Sequence, residues 1–369
     1  MGSLVVRLCR GDRRSRQGSG ALVEGRSPWL SAMTNRPPDL DRTVLDLIDS
    51  KTKPVGALGQ VESVALQLAR ATGRPAPRLE TCELTVFAAD HGIAADGVSA
   101  YPQEVTRQMV LNFLHGGAAA NVFANAVGAS VRVVDAGVAG DPIEHSDLLP
   151  RRIAAGTRNF RVEPAMTEAQ RDDALRAGRA LAENSPADVL CFGEMGIGNT
   201  SAATLIAHKV LGLPLAGLTG RGTGLDDAGL ARKSAVLGAA SERTATTLDA
   251  EAALAEYGGF EIATMAGAML GGALTNRPVL VDGFISTAAA LVAIRIEPKA
   301  ERGLIFAHRS AEPGHSEMLE ALTARPILDL QMRLGEGTGA LLAWPVVRAA
   351  SAMLTDMASF DSAGVSGPA

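Results

Sequence analysis

The sequence predicts an α/β protein built on a mainly parallel sheet, and two features carry that reading. Short aliphatic runs recur along the chain and stop abruptly at a polar residue or a glycine. Each is followed by a stretch of small residues suited to a helix. Apolar runs that do not alternate belong to strands buried on both faces, and strands separated by helices imply βαβ units.

The first segment, 1–32, has a different character. It carries six arginines (Arg7, Arg10, Arg13, Arg14, Arg16, Arg26) against Asp12 and Glu24, and it lacks the continuous apolar stretch of a secretory signal. It is read as a disordered leader without a functional role, with Met33 an alternative translation start. Residues 33–80 form an N-terminal helical segment. Within it, 39–70 read as two helices separated by Lys53-Pro54-Val55-Gly56, where proline and glycine end one helix and the next starts near Gly59.

The large α/β domain spans 81–330 and holds five predicted strands. Leu84-Thr85-Val86-Phe87 leads into Asp90-His91-Gly92, Val131-Arg132-Val133-Val134 into Asp135-Ala136-Gly137, and Val189-Leu190-Cys191-Phe192 into Gly193-Glu194. Val279-Leu280-Val281 leads into Asp282-Gly283 and Leu304-Ile305-Phe306 into His308. Ligands of parallel sheets bind beyond the carboxyl ends of the strands, so Asp90, His91, Asp135, Glu194, Asp282 and His308 are expected near one edge. Asp and Gly after a strand are also ordinary turn residues, and it is the recurrence that points to a site. Residues 331–361 supply a loop and a C-terminal helix over 341–355, which packs with the N-terminal helices as a smaller helical layer. The Gly/Ser/Pro-rich tail, 362–369, is expected to fray.

Composition excludes several functions. The 369 residues are 47% hydrophobic and 20% charged, enough for a large core. A net charge of −5 offers no basic field for nucleic acid. The longest uncharged stretches, such as 262–276, are rich in Gly, Ala and Thr and fall short of the roughly 18 apolar residues a membrane helix needs. Cys9, Cys82 and Cys191 are odd in number and outside any CxxC spacing, which favours a reducing cytoplasm over a disulfide framework or zinc knuckle.

Four loops carry chemistry. Gly193-Glu194-Met195-Gly196-Ile197-Gly198-Asn199-Thr200-Ser201 joins a strand to an Ala-rich helix, a setting in which backbone amides and a helix N-terminus hold phosphate. It is neither a Walker A motif nor a complete dinucleotide fingerprint. Thr219-Gly220-Arg221-Gly222-Thr223-Gly224-Leu225-Asp226-Asp227 precedes a second helix, with Asp226 or Asp227 as cap and Lys233 about two turns in. A lysine there can meet a phosphate as a point charge, although most lysines are simply solvated. Two glycine turns and one lysine suit a single phosphate monoester. Ala307-His308-Arg309-Ser310-Ala311-Glu312-Pro313-Gly314-His315 mixes donors and acceptors; Pro313 and Gly314 between the histidines, and the lack of a third ligand nearby, favour hydrogen bonding over metal. Arg333-Leu334-Gly335-Glu336-Gly337-Thr338-Gly339 sets a carboxylate between glycines just before a helix, which lets the backbone approach a flat ligand while one side chain projects.

Taken in order with Lys53-Pro54-Val55-Gly56-Ala57-Leu58-Gly59, Ala89-Asp90-His91-Gly92-Ile93-Ala94, Gly259-Phe260-Glu261-Ile262 and Val281-Asp282-Gly283-Phe284, these segments resemble the nicotinate-nucleotide:dimethylbenzimidazole phosphoribosyltransferase family over roughly residues 39–362. The resemblance implies a homodimer with a Rossmann-like large domain, a small helical domain built from both chain ends, and no cofactor or metal. It implies transfer of phosphoribose from nicotinate mononucleotide to a benzimidazole-type base, in assembly of the cobalamin lower ligand. Carried over by position, Glu336 is the general base. Glu194, Met195, Gly196, Gly198, Asn199, Gly222, Lys233 and Ser310 line the nucleotide and phosphate region, and Gln108, Tyr101 and Leu334 contact the incoming base. Glu194 is a second carboxylate that can orient a substrate or share the base role. A binding protein that keeps the glycine turns without turnover is the reading from another class; it would be favoured by loss of Glu336 or Lys233, and both are present.

Overall fold

The computed structural model describes residues 39–366; the leader expected over 1–32 lies outside the described residues. Helices α1 (Leu40–Asp49) and α2 (Gln60–Thr72) flank the predicted break, and α1 buries Leu40, Val44 and Ile48, the four-residue spacing of one helical face. The chain continues through β1 (Cys82–Ala89), α3 (Glu104–Leu114), α4 (Ala119–Val127), β2 (Ser130–Gly137), β3 (Leu148–Pro150), α5 (Glu168–Glu183) and β4 (Val189–Met195). Next come α6 (Asn199–Leu211), α7 (Leu215–Leu218), α8 (Asp227–Ser241), α9 (Ala250–Tyr257), α10 (Phe260–Leu274), β5 (Val279–Val281), α11 (Phe284–Ile296) and β6 (Leu304–Phe306). Helices α12 (Pro313–Ala321), α13 (Thr338–Thr355) and α14 (Phe360–Ala363) complete the described chain.

The six strands run in the order β3-β2-β1-β4-β5-β6, and every neighbouring pair is parallel. This is the doubly wound order, whose direction of winding reverses between β1 and β4. All five predicted strands are present. The sixth, β3, was not predicted: it is three residues long, lies at the sheet edge and ends in Pro150, so it carries too little apolar pattern to register.

Alternate residues of the strands face two cores. Phe87, Val134, Leu190, Phe192, Val281 and Phe306 pack toward α5, α6, α10 and α11. Leu84, Val86, Val133, Val189, Cys191, Leu280 and Ile305 pack toward α1, α2, α4 and α13. Helices α1 and α2 near the start of the described chain and α13 near its end pack together and share a core with one face of the sheet.

Near the end of the described residues the Ser359 hydroxyl accepts from the Ser362 N–H, the Ser362 hydroxyl accepts from the Ser359 N–H in return, and this capping box starts α14. Asp226, rather than Asp227, caps α8 by accepting from the Gly229 N–H at 2.7 Å.

Helices α5 and α10 are the most intimately packed pair, and glycines make this possible. A Cβ at Gly178 would collide with the Thr264 carbonyl, and one at Gly267 with the Leu175 carbonyl. Gly178→Ala should therefore destabilise the protein by about 1–3 kcal/mol or more through overpacking. Urea denaturation checks this, and an unchanged midpoint would contradict the packing argument.

Candidate active site

The loops after β4, β5 and β6 meet the 333–336 loop and the side of α3 around a cleft of about 620 Å³. The β4 loop contributes Glu194, Met195, Gly196, Asn199 and Thr200, and the β5 loop Asp282 through Ser286. His308, Ser310 and Glu312 follow β6, and Arg333, Leu334, Gly335 and Glu336 precede α13. Tyr101, Val105 and Met109 supply an apolar wall from α3 and the turn before it.

A buried cation lies beneath one part of the cleft. Lys233 is fully buried on α8 and donates to the Thr200 hydroxyl at 2.8 Å, directly behind Gly222. It is thus not the solvated lysine that its residue type makes most common. Burial lowers its pKa to about 8, with the Glu312 carboxylate opposing the shift. Gly222 has φ +53, and its carbonyl accepts from the Arg333 guanidinium at 2.8 Å. Glu312 is buried beside this turn. Its pKa is raised by burial and held back by Lys233, Arg333 and the Gly222 N–H.

Glu336 lines the same cleft. Gly335, Glu336 and Gly337 have φ +88, +60 and +80, three successive left-handed residues of which only Glu336 is strained by a side chain. The turn fits because β4 carries glycine at 193; a Cβ there would collide with the Glu336 carbonyl. The Glu336 carboxylate accepts from the Ala120 N–H at 3.3 Å, at the N-terminus of α4. Burial raises its pKa, the Ala120 N–H lowers it, and the nearby Asp282 carboxylate raises it again. The result is an ionisable base whose proton affinity exceeds that of a surface glutamate.

Glu194 is the second carboxylate. It is buried, accepts from the Asn199 side-chain amide, and packs against Gly335. Burial, with the negative charges of Glu261 and Asp282, raises its pKa to about 8, so it is mostly protonated at neutral pH.

Of the residues predicted for the site, Glu336, Glu194, Met195, Gly196, Asn199, Gly222, Ser310, Tyr101 and Leu334 line the cleft. Lys233 sits immediately beneath it. Gly198 does not line it: it caps α6 with φ +100 and faces the side chains of His91 and Ile93. Gln108 is an exposed residue of α3 outside the cleft lining, next to Met109, which does line it. Of the polar strand ends, Glu194, Asp282 and His308 reach the cleft, whereas Asp90, His91 and Asp135 do not. Asp135 accepts from the N–H groups of Gly137 and Val138, the ordinary turn role, whereas Asp90 accepts from the Ala139 N–H and so ties the end of β1 to the loop after β2. His91 is buried against Glu261 at 2.6 Å, beneath the Gly196 turn. His315 bonds Thr287 and the Ser310 N–H, and burial lowers its pKa to about 3, so it is neutral. Thr200, Arg333 and Glu312 were missed as individual site residues, although each stands inside a loop that the sequence marked.

A cleft at the carboxyl edge of an open doubly wound sheet, lined here by buried carboxylates, is the place where such folds bind ligands. In keeping with this, the family description "Phosphoribosyltransferase" matches residues 34–365. A nicotinate-nucleotide–dimethylbenzimidazole phosphoribosyltransferase of Aromatoleum aromaticum is 52% identical over 331 residues, covering 89% of this chain and 96% of that protein. One from Cupriavidus necator is 54% identical, covering 86% and 93%. The crystal structure of CobT from Thermus thermophilus superposes with a TM-score of 0.86 at 47% identity, covering 90% of this chain and 100% of that one. The chain belongs to the nicotinate-nucleotide–dimethylbenzimidazole phosphoribosyltransferase family.

The raised pKa of Glu194 has a measurable sign. A carboxyl that titrates near 4.5 unfolded and about 8 folded contributes its stability in full below pH 4.5 and loses it as pH rises toward 8. Glu194→Gln, which cannot ionise, should thus melt progressively higher than wild type between those limits. Parallel melting curves of the two proteins against pH would refute the assignment.

Proposed function

We propose that this enzyme transfers the 5-phosphoribosyl group from nicotinate mononucleotide to 5,6-dimethylbenzimidazole or a related base, giving α-ribazole 5'-phosphate and nicotinate for the cobalamin lower ligand. The observation that carries the mechanism is Glu336: a buried carboxylate held at a helix N-terminus, lining the same cleft as Thr200 and Gly222, behind which Lys233 lies.

The phosphate of the mononucleotide occupies the cradle, where Lys233, Thr200, Ser310 and the glycine turn at 222 supply charge and donors. The flat base lies between Leu334 and the wall of Tyr101, Val105 and Met109, with Gln108 at the mouth of this side. One imidazole nitrogen of the base attacks the anomeric carbon as the bond from that carbon to the pyridinium nitrogen breaks. The bonding pair returns to the pyridine ring and neutralises it, so nicotinate departs with little acid assistance. The other imidazole nitrogen loses its proton to Glu336, leaving a neutral benzimidazole riboside. Attack opposite the leaving group converts the β-nucleotide into an α-riboside. Docking of the apolar base removes remaining water from Glu336 and makes it a better proton acceptor. Glu194, protonated at neutral pH, donates a hydrogen bond that orients substrate.

The same proposal has the enzyme acting in the cytoplasm as a homodimer. Among the described residues no helix is long and apolar enough to cross a membrane. Val55, Leu58 and Leu330 add exposed apolar surface for association, which light scattering in solution would measure.

Incubation with nicotinate mononucleotide and 5,6-dimethylbenzimidazole should yield both products by mass, and absence of both refutes the function. Glu336→Gln should lower kcat by about 10²–10⁴-fold with mononucleotide binding retained; near-wild-type turnover would remove Glu336 from the base role. Lys233→Ala should raise KM for the mononucleotide, whereas an unchanged KM would argue against the phosphate contact.

A further inference from the structure

The turn that presents Glu336 is not held in place by Glu336 itself. Its three left-handed residues lead directly into α13, and the start of that helix is tied to the sheet by one side chain. Asp282, the first residue after β5, is buried and accepts from the Ala340 N–H at 2.9 Å, with the N–H groups of Gly339 and Gly337 also directed at it. His308, after β6, stands 3.7 Å from the same carboxylate oxygen, and its ring fills the space that a Cβ at Gly339 would need. The helix start is thus clamped between two strand ends. On its other side the Gly335 carbonyl accepts from both the N–H and the hydroxyl of Thr338, which closes the turn on itself. Displacing the first turn of α13 would therefore carry Glu336 away from Ala120.

We infer that Asp282 is a positioning residue for the transfer reaction: by anchoring the first turn of α13 to the end of β5, it holds Glu336 against the N-terminus of α4 and facing the cleft. The inference rests on the reading of Glu336 as the base. Asp282 acts through backbone N–H groups, which distinguishes it from Glu194, whose carboxyl meets Asn199 within its own loop. It also differs from Asp135, which makes the same kind of bond at the end of β2 but ties only its own turn, outside the cleft. Besides geometry, its carboxylate opposes ionisation of Glu336. The other ionisable groups lining the cleft are Tyr101 before α3, Glu194 at the end of β4, His308 and Glu312 after β6, and Arg333 on the loop of Glu336; α4 contributes an N–H and no ionisable side chain.

The test uses Asp282→Ala, Asp282→Asn and, as a control, Asp135→Asn, with kcat, KM and melting temperature measured for each. Asp282→Ala should lose about 10²-fold in kcat while KM for nicotinate mononucleotide stays within about twofold, because the phosphate cradle lies on other loops. Asp282→Asn keeps an acceptor for the Ala340 N–H and should recover most of that loss. Its kcat–pH profile should fall off at lower pH than that of wild type, since the charge opposing ionisation of Glu336 is gone. Asp135→Asn should keep wild-type kcat. Wild-type kcat in Asp282→Ala overturns the inference. So does a loss of kcat accompanied by an equal loss in nucleotide affinity and an unshifted profile in Asp282→Asn, which would mark a merely structural residue. If Glu336→Gln is itself fully active, the base assignment falls; if Glu336→Gln is inactive and Asp282→Ala is not, only the positioning role falls.

Discussion

Burying several carboxylates at one edge of a sheet is the constraint on which the rest of this structure depends. Glu194, Asp282, Glu312 and Glu336 are each no more than 7% exposed and line a single cleft. A buried charge without compensation is costly, so each needs a donor, a cation or a proton. The fold supplies all three. Asp282 and Glu336 take N–H groups from helix starts, Glu312 takes Lys233 and Arg333, and Glu194 keeps its proton. A doubly wound sheet suits this demand, because its strand ends and the N-termini of the following helices meet on the same edge.

The compensation is specific enough to give the carboxylates different roles. Burial raises the proton affinity of Glu336, and its helix-terminal N–H partly offsets that rise. Glu194 has like charges for neighbours and one amide donor, so the neutral acid is its stable form. The difference lies in what each loop points at the carboxyl group, and both loops spring from or lie against β4. Chemical differentiation here is a matter of backbone direction more than of residue type.

Much of this was legible in the sequence, for reasons that particular residues make plain. The runs 84–87, 131–134, 189–192, 279–281 and 304–306 announce themselves because central parallel strands are apolar on both faces. The glycine-flanked Glu336 and the turns at 196 and 222 were visible because glycine marks places where backbone geometry is unusual. Helices α10 and α11 carry almost no amphipathic signal, since nearly every one of their residues is buried, and only their placement between strands betrays them. Polar strand ends could not be sorted from sequence. Asp90 and Asp282 follow strands in the same way, yet one binds the loop after β2 away from the cleft and the other binds the start of α13 beside it. The burial of Lys233 was equally hidden, because it depends on Thr200 from a helix more than thirty residues away.

Gly193 is silent in any inventory of chemistry: it binds nothing, bears no charge and sits mid-strand. Yet the carbonyl of Glu336 occupies the place where its side chain would be. A catalogue of tolerated substitutions would thus rank it beside the base itself, and a search for ligand contacts would pass over it. In this protein, intolerance to mutation is expected to trace the path by which backbone makes room for a reactive group as much as the group's own position.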